Sequence, residues 1–553
     1  MAQSNSGPFR LLTPEQEADA LAFVNDLLTG DATGVSTYLT SDVEAVRSQS
    51  QRREVKIPGH QGVQLDALIA WPETDGPHPL IVMPAGLDKS GWKMYGGAVT
   101  QLLKRGYAVV AYTERGLPGS DDEKDENACL TVAGPEDVAD GYAVIEWALG
   151  HSELHADRDR VGMMGISYGS GISQLVANAH QDVKVVVALS TWADLGESLY
   201  DHGTRHIAAA EALAKVSDRP SPELEKVLEL FRANTDIEQV LAYAAQRSPA
   251  KVPDDRRRSV PTFFTSFWHE TIFPQNQLLD YFQDYPGPKR LDLAVGDHSS
   301  VEVLGLTTGL YTRTTEAAYD WLDHFLLDID NGIDRDGVVH TESMHSFTMT
   351  ASPDLATWSK SARRYYFRAP ETGSADGILT VEQPPAQSQS FQAGAQEVKV
   401  ANTIIFDGLA ERLRLPIYQS LKRVDRTRAA VWTTPRVFLA PHHIAGRPEV
   451  NVTVTPSGRN ATVIAYLFVL EPFTGLMRIV THAAATITGQ ESGRPSTLRI
   501  PLQATDYRVP ALHKLVVVID TVDQFYSDET EPGAIITLST TVSSGYLDLP
   551  IAP

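Results

Sequence analysis

From Arg53 the chain alternates. "REVKIPGHQGVQLDALIAWPE" sets apolar against polar residues at successive positions, with Pro58, Gly59 and Gly62 between its two halves. A period of two marks a half-buried strand, and the Pro and Gly cluster marks the turn of a hairpin. The pattern then changes to short, unbroken apolar runs. "PLIVMPAG", "YAVVAYTERG", "DRVGMMGIS" and "VKVVVALST" are separated by the helical stretches "AVTQLLKRG", "PEDVADGYAVIEWALGH" and "YGSGISQLVANAH". Strands apolar on both faces and joined by helices predict a mostly parallel, doubly wound α/β sheet covered on both sides. Two further runs, "VPTFFTSFWHE" and "KRLDLAVGDH", and the helix "TTEAAYDWLDHFLLDID" extend it.

Three segments break this rhythm. Near the start, Thr13-Pro14-Glu15-Gln16 offers a capping hydroxyl, a proline at the first helical position and a Gln three residues after the cap. Leu21, Phe23, Leu27 and Leu28 follow at helical spacing up to Gly30, so residues 1–52 read as an N-terminal helical segment. Inside the α/β domain of 53–340, the stretch from about 197 to 255 carries "RHIAAAEALAKV" and "SPELEKVLELFRAN" without a strand. These amphipathic helices predict a lid. Past Gly337 the helical signal fades into short alternating stretches broken by Gly, Pro and Asn. Residues 341–553 are therefore expected to form an all-β domain, a sandwich or jelly roll. Within it, "VEQPPAQSQSFQAGAQ" reads as an exposed loop.

Composition narrows the function classes. A chain of 553 residues is too long for one core, which agrees with the division just drawn. A formal net charge of -23 argues against nucleic-acid or anionic-membrane partners, which need clustered Lys and Arg. Cys129 is the single cysteine, so no intrachain disulfide and no cysteine-based zinc site can form. The start of the chain lacks a basic stretch followed by an apolar core, and no apolar window is long enough to span a bilayer. A cytoplasmic protein is the expectation.

The candidate chemistry lies in "DRVGMMGISYGSG". Composition alone yields about 0.2 matches to Gly-x-Ser-x-Gly in a chain this long, so the pattern is weak by itself. Its context strengthens it: a buried strand precedes Ser167 and a helix follows. That is the setting of a serine held on a sharp strand-to-helix turn, with Gly165 and Gly169 letting backbones approach and a helix N-terminus aimed at developing negative charge. A serine needs a base, and the base needs an orienting carboxylate. In this architecture the order along the chain is Ser, acid, His, the last two beyond later strands. Glu270 ends one such strand and His298 another; Asp194 and Asp297 are the rival acids.

"VGMMGISYGSG", "YAVVAYTERGLPGSDDE", "WHETIFP" and "GDHSS" resemble the peptidase S15 and cocaine-esterase-like α/β-hydrolases, which end in a jelly-roll domain; the likeness spans about residues 53 to 550. The resemblance implies Ser167 as nucleophile, Glu270 as acid and His298 as base. It also exposes a departure. Where the family often has Pro-Tyr, with the tyrosine hydroxyl donating to the oxyanion, "MPAGLDKS" has Ala85. The oxyanion donors are then expected to be the Tyr168 N–H with that of Ala85 or Gly86, or a tyrosine from elsewhere such as Tyr95.

The favoured function is a serine hydrolase that cleaves an ester or amide through an acyl-enzyme, acting on a small-molecule acyl substrate without cofactor or metal. Three alternatives stay open: an acyltransferase, cyclase or thioesterase using the same residues; an Xaa-Pro dipeptidyl-peptidase-type aminopeptidase; and a non-catalytic binding protein with a decayed core. A homo-oligomer is compatible with the sequence. Trp92, Tyr95, Trp192 and Trp268, with Tyr200, Phe267 and Phe273, are candidates for an apolar pocket because they fall near strand ends. His202 and His206 lie four apart on an expected helix but lack a third ligand, and His442-His443 falls in a β-domain loop.

Overall fold

In the computed structural model, which describes residues 44–310, 312–541 and 543–553, the hairpin is formed by Ser50–Pro58 (β1) and Gln64–Pro72 (β2). The helix expected between Thr13 and Gly30 lies outside the described residues. The apolar runs become His78–Pro84 (β3), Ala108–Tyr112 (β4), Ala156–Ile166 (β5), Val183–Leu189 (β6), Thr262–Phe267 (β7) and Lys289–Ala294 (β8), all parallel. Val339–Glu342 (β9) pairs parallel to β8, and Met349–Ser352 (β10) closes the edge antiparallel. The strand order is β1-β2-β4-β3-β5-β6-β7-β8-β9-β10. The first sheet therefore continues past residue 340, where the sequence suggested the β domain begins, because β9 completes the backbone hydrogen bonding of β8.

Every residue of β3, β4 and β7 is buried. One face of the sheet packs against Gly96–Lys104 (α1) and a later helix, Arg313–Leu327. The other packs against Pro135–Gly150 (α2) and Tyr168–Ala179 (α3). The chain leaves β3 toward β4 on one side and returns to β5 on the other. That reversal opens a crevice at the C-terminal ends of β3 and β5, the place where open α/β sheets bind ligands. Arg115, after β4, is buried and forks onto both Asp140 oxygens of α2 at 2.7 Å, fixing the loops beneath this crevice.

Between β6 and β7 the expected insertion forms over the C-terminal ends of the strands. It comprises Leu195–Leu199 (α4), Ile207–Leu213 (α5), Pro222–Ala233 (α6) and Ile237–Ala245 (α7). Its start differs from expectation. Tyr200–Asp201 and Thr204–Arg205 form a two-stranded ribbon with His202 in its turn, so His202 and His206 do not share a helix face. His206 is buried instead against Phe525 and Tyr526. The remaining helices of the domain are Asn276–Asp284 (α8), Glu302–Thr308 (α9) and Arg313–Leu327 (α10).

Beyond β10 the chain is almost all β, with strands hydrogen-bonded into a fourteen-stranded sheet. Ala461–Glu471 is buried along all but its last residue, so both faces of that strand are covered. "QSQSFQ", read as a loop, is the edge strand Gln387–Gln392, of which only Phe391 is buried. An edge needs one inward apolar residue and tolerates polar ones elsewhere, so its hydropathy pattern is faint.

A single carboxylate ties the two sheets together. Asp506, fully buried in the β domain, accepts from Thr341 Oγ1 at 3.0 Å, Ser343 Oγ at 2.5 Å and Trp358 Nε1 at 2.9 Å, and pairs with His443 Nε2 at 2.7 Å. Burial alone would raise its pKa, but His443, Ser343 and Trp358 outweigh it and hold the group below the usual carboxylate range. His443 is thus a structural partner and not a loop ligand. Asp506→Ala leaves these donors unpaired, and is expected to destabilise the protein by about 3–5 kcal/mol in urea denaturation at neutral pH. An unchanged midpoint would show that the anchor contributes nothing.

Candidate active site

The site starts from steric exclusion. β5 runs into α3 through Ser167, whose backbone has φ 52 and ψ -117, a conformation that costs a non-glycine residue on the order of 1–3 kcal/mol. The surrounding glycines leave no alternative. A Cβ on Gly165 would lie 2.3 Å from the Gly169 carbonyl carbon, and one on Gly169 would lie 2.0 Å from Pro84 O at the end of β3. One on Gly171 would strike the Trp192 ring at 2.1 Å. The Ser167 N–H donates to Leu189 O at 2.9 Å, which anchors the turn to β6. The Ser167 side chain is left half-buried at the crevice, above the N-terminus of α3.

His298 arrives from the loop after β8 and Glu270 from the loop after β7. His298 Nε2 lies 2.8 Å from Ser167 Oγ, and His298 Nδ1 lies 2.9 Å from Glu270 Oε1. Glu270 Oε1 also accepts the N–H groups of Ile272 and Phe273 at 3.0 and 3.1 Å. The longer Glu arm is accommodated because the loop curls back onto its own carboxylate. Burial would lower the His298 pKa, but the Glu270 charge and hydrogen bond, with Asp297 and Glu302 beyond, raise it above the ordinary imidazole value. This arrangement can take a proton from the serine hydroxyl and hold the resulting imidazolium.

The rival acids do other work. Asp194 caps α4 through the Glu197 N–H and pairs with Lys251 at 2.6 Å. Asp297 is fully buried and accepts the N–H groups of Thr271 at 2.8 Å and His298 at 2.7 Å. It stitches the acid loop to the histidine loop without touching the ring. Sequence reasoning missed Glu302. It is fully buried at the start of α9, accepts from Ser190 Oγ at 2.5 Å and from Thr265 Oγ1, and Ser190 Oγ in turn accepts the Ser299 N–H at 2.9 Å. A Glu four residues after a His carries no sequence signal for such a post, because its partners lie more than a hundred and about forty residues upstream.

The candidate oxyanion donors are sorted by their existing bonds. Tyr168 opens α3, so its N–H has no acceptor within the helix. The Ala85 N–H is already given to Tyr112 O at 3.1 Å. The Gly86 N–H faces only the Met94 sulfur at 3.1 Å, a weak acceptor. Tyr95 is fully buried behind the turn, donating to Pro84 O at 2.7 Å and accepting the Ile166 N–H at 3.1 Å, so its hydroxyl braces β3 against β5. The aromatic candidates divide likewise. Trp192, Tyr200 and Phe273 line a cavity of about 110 Å³ that includes Ser167. Trp92 is bonded to Asp66, and Trp268 is bonded to Glu342 O and stacked on Trp358. From the 85–87 loop it is Leu87, and not Ala85, that reaches the cavity wall.

The β domain grips the acid loop from outside. His269 pairs with Glu411 at 2.7 Å, the Ile405 N–H reaches Thr271 Oγ1 at 3.3 Å, and Asn276 Nδ2 donates to Leu502 O at 3.0 Å.

Residues 61–300 match the family model described as X-Pro dipeptidyl-peptidase (S15 family), and residues 331–545 match that of the X-Pro dipeptidyl-peptidase C-terminal non-catalytic domain. The chain is 23% identical over 433 residues to the Xaa-Pro dipeptidyl-peptidase of Lactobacillus delbrueckii subsp. lactis, covering 68% of this chain and 50% of that one, so it spans about half the relative's length. It is 30% identical over 123 residues to the cocaine esterase of Rhodococcus sp., covering 22% of this chain and 20% of that one. In fold it resembles an aminopeptidase from a marine sediment archaeon (Thaumarchaeota archaeon), with TM-score 0.69, 16% identity, and coverage of 91% of this chain and 97% of that one.

Burial pushes the Glu302 pKa up to about 7, against the hydrogen bonds from Ser190 and Thr265 that pull it down. An acid raised in the folded state leaves stability intact below its ordinary value of 4.5 and lowers it as pH rises through about 7. Glu302→Gln removes that loss. Urea denaturation at the two ends of this window is expected to move in favour of the variant by roughly 2–3 kcal/mol on going to the higher pH. A difference independent of pH would mean that Glu302 is ionised throughout.

Proposed function

Because the chain belongs to the peptidase S15 and cocaine-esterase-like family of α/β-hydrolases, we propose that Ser167, His298 and Glu270 form a catalytic triad that cleaves an ester or amide through an acyl-enzyme. The observation that carries the reading is the pair of contacts on one imidazole, 2.8 Å to the serine hydroxyl and 2.9 Å to a buried carboxylate. Ser167 Oγ attacks the carbonyl carbon while His298 Nε2 takes its proton. The tetrahedral intermediate collapses, and His298 returns that proton to the departing oxygen or nitrogen. Water then repeats the sequence on the acyl-serine, releasing the acid and restoring the hydroxyl. Glu270 fixes the imidazole with Nδ1–H inward and stabilises its charged form.

The developing oxyanion is received by the Tyr168 N–H and by the Gly86 N–H. The second gives up only a thioether contact to do so, and each such donor is worth about 3 kcal/mol in the transition state. A peptidase reading is favoured by the names of the matching family models. A panel of p-nitrophenyl esters, thioesters, anilides and dipeptidyl anilides, with and without an acceptor amine, separates it and the acyl-transfer reading from ester hydrolysis.

Ser167→Ala and His298→Ala are each expected to lower kcat by about 10³- to 10⁶-fold, and the double variant by no more than the worse single one, because the residues act as a unit. A fluorophosphonate is expected to label the parent protein and not Ser167→Ala; labelling of both would sink the assignment. Since the His298 pKa is raised, kcat/KM is expected to climb with pH through one ionisation above that of an ordinary imidazole.

A further inference from the structure

The cavity beside Ser167 is built from apolar side chains. Leu224, Val227, Leu228 and Phe231 of α6 and Val240 and Leu241 of α7 face it from above, and none of its lining residues among those described is charged. Neither the sheet nor the insertion therefore offers a carboxylate to receive an ammonium group there. An ion entering this space would lose its hydration without a partner, which is strongly unfavourable.

The cavity also lies on a definite side of the serine. A leaving group takes its proton from His298 Nε2, so it departs on the imidazole side. His298 does not line the cavity, whereas Tyr168, whose N–H opens α3, and Leu87 do. Phe273 lines the cavity too, and its ring is 5.2 Å from that of His298 at an interplanar angle of 80°. The cavity is therefore on the acyl side.

Resting on the triad reading above, we propose that the site is selective for uncharged, apolar acyl groups of medium length, held beneath the helical insertion while esterified to Ser167. The 110 Å³ of space is of the order of the roughly 150 Å³ apolar cavity that holds one benzene, which corresponds to acyl chains of about four to six carbons. A substrate with a free α-ammonium on its acyl part, such as an amino acid ester or an N-terminal dipeptide, is disfavoured.

The test is a series of p-nitrophenyl esters with straight acyl chains, beside aminoacyl and dipeptidyl esters of matched length, on protein first shown to take a fluorophosphonate at Ser167. The rate constant kcat/KM is expected to rise roughly fourfold per added methylene and to level off at about six carbons. The ammonium-bearing esters are expected to react at least tenfold more slowly than their neutral counterparts. Ala214→Phe, which fills part of the cavity from the end of α5, is expected to move the optimum to shorter chains. A labelled enzyme with a flat or falling chain-length profile, or with a preference for the ammonium esters, overturns this inference and leaves the triad intact. A steep response to the alcohol chain with the acyl group held at acetyl overturns the side assignment. Failure of labelling together with no turnover of any ester overturns both this inference and the hydrolase reading.

Discussion

The close passage of the β5–α3 turn across the end of β3 sets the position of everything else in the site. Gly169 approaches the Pro84 carbonyl so nearly that a single added carbon would sit 2.0 Å from it. The parallel hydrogen bonds of β3 to β5 and of β5 to β6 fix the strands on either side, so the turn has nowhere to retreat. Ser167 absorbs the bend with a positive φ, and its side chain is carried clear of the sheet. The same bend starts α3 directly beneath it, which brings unpaired amide hydrogens under the hydroxyl. Tyr95 holds the crossing from behind by bonding to both strands. The exposure of the Ser167 hydroxyl and the placing of a helix N-terminus beside it thus arise from one packing constraint.

A second constraint is electrical. Glu270, Asp297 and Glu302 surround His298, and the negative charge of each favours the protonated imidazole. Burial raises both Asp297 and Glu302 to about 7, with the charge on Glu270 adding to it. Their hydrogen bonds to Thr271, Ser190, Thr265 and backbone amides keep them ordered whichever form they take. Only Glu270 touches the ring, so the charge that matters is delivered through one contact of 2.9 Å.

Much of this architecture was legible in the sequence because it depends on local pattern. Runs such as "PLIVMPAG" and "DRVGMMGIS" are apolar throughout because both of their faces are covered, and the glycines around Ser167 mark a backbone approach that no other residue permits. What stayed hidden depends on distant partners. Tyr95 looked like a pocket residue or an oxyanion donor, yet two backbone groups from different strands claim its hydroxyl. Ala85 and Gly86 are equal candidates for the second backbone donor by sequence, but β4 already takes the Ala85 N–H. Glu302 resembles any helix-start acid until Ser190 and Thr265 are brought to it. "QSQSFQ" gave no strand signal because an edge strand buries only Phe391.

The hold of the β domain on the loop that carries Glu270 joins the fate of the two halves. His269, Thr271 and Asn276 bracket the acid, and each is held by a residue from beyond position 400. Recombination that replaced the β domain by that of a distant cousin would leave those three without their mates, and the carboxylate would lose the frame that points it at the ring. At this patch, as at the Asp506 anchor, the two halves must therefore be inherited together.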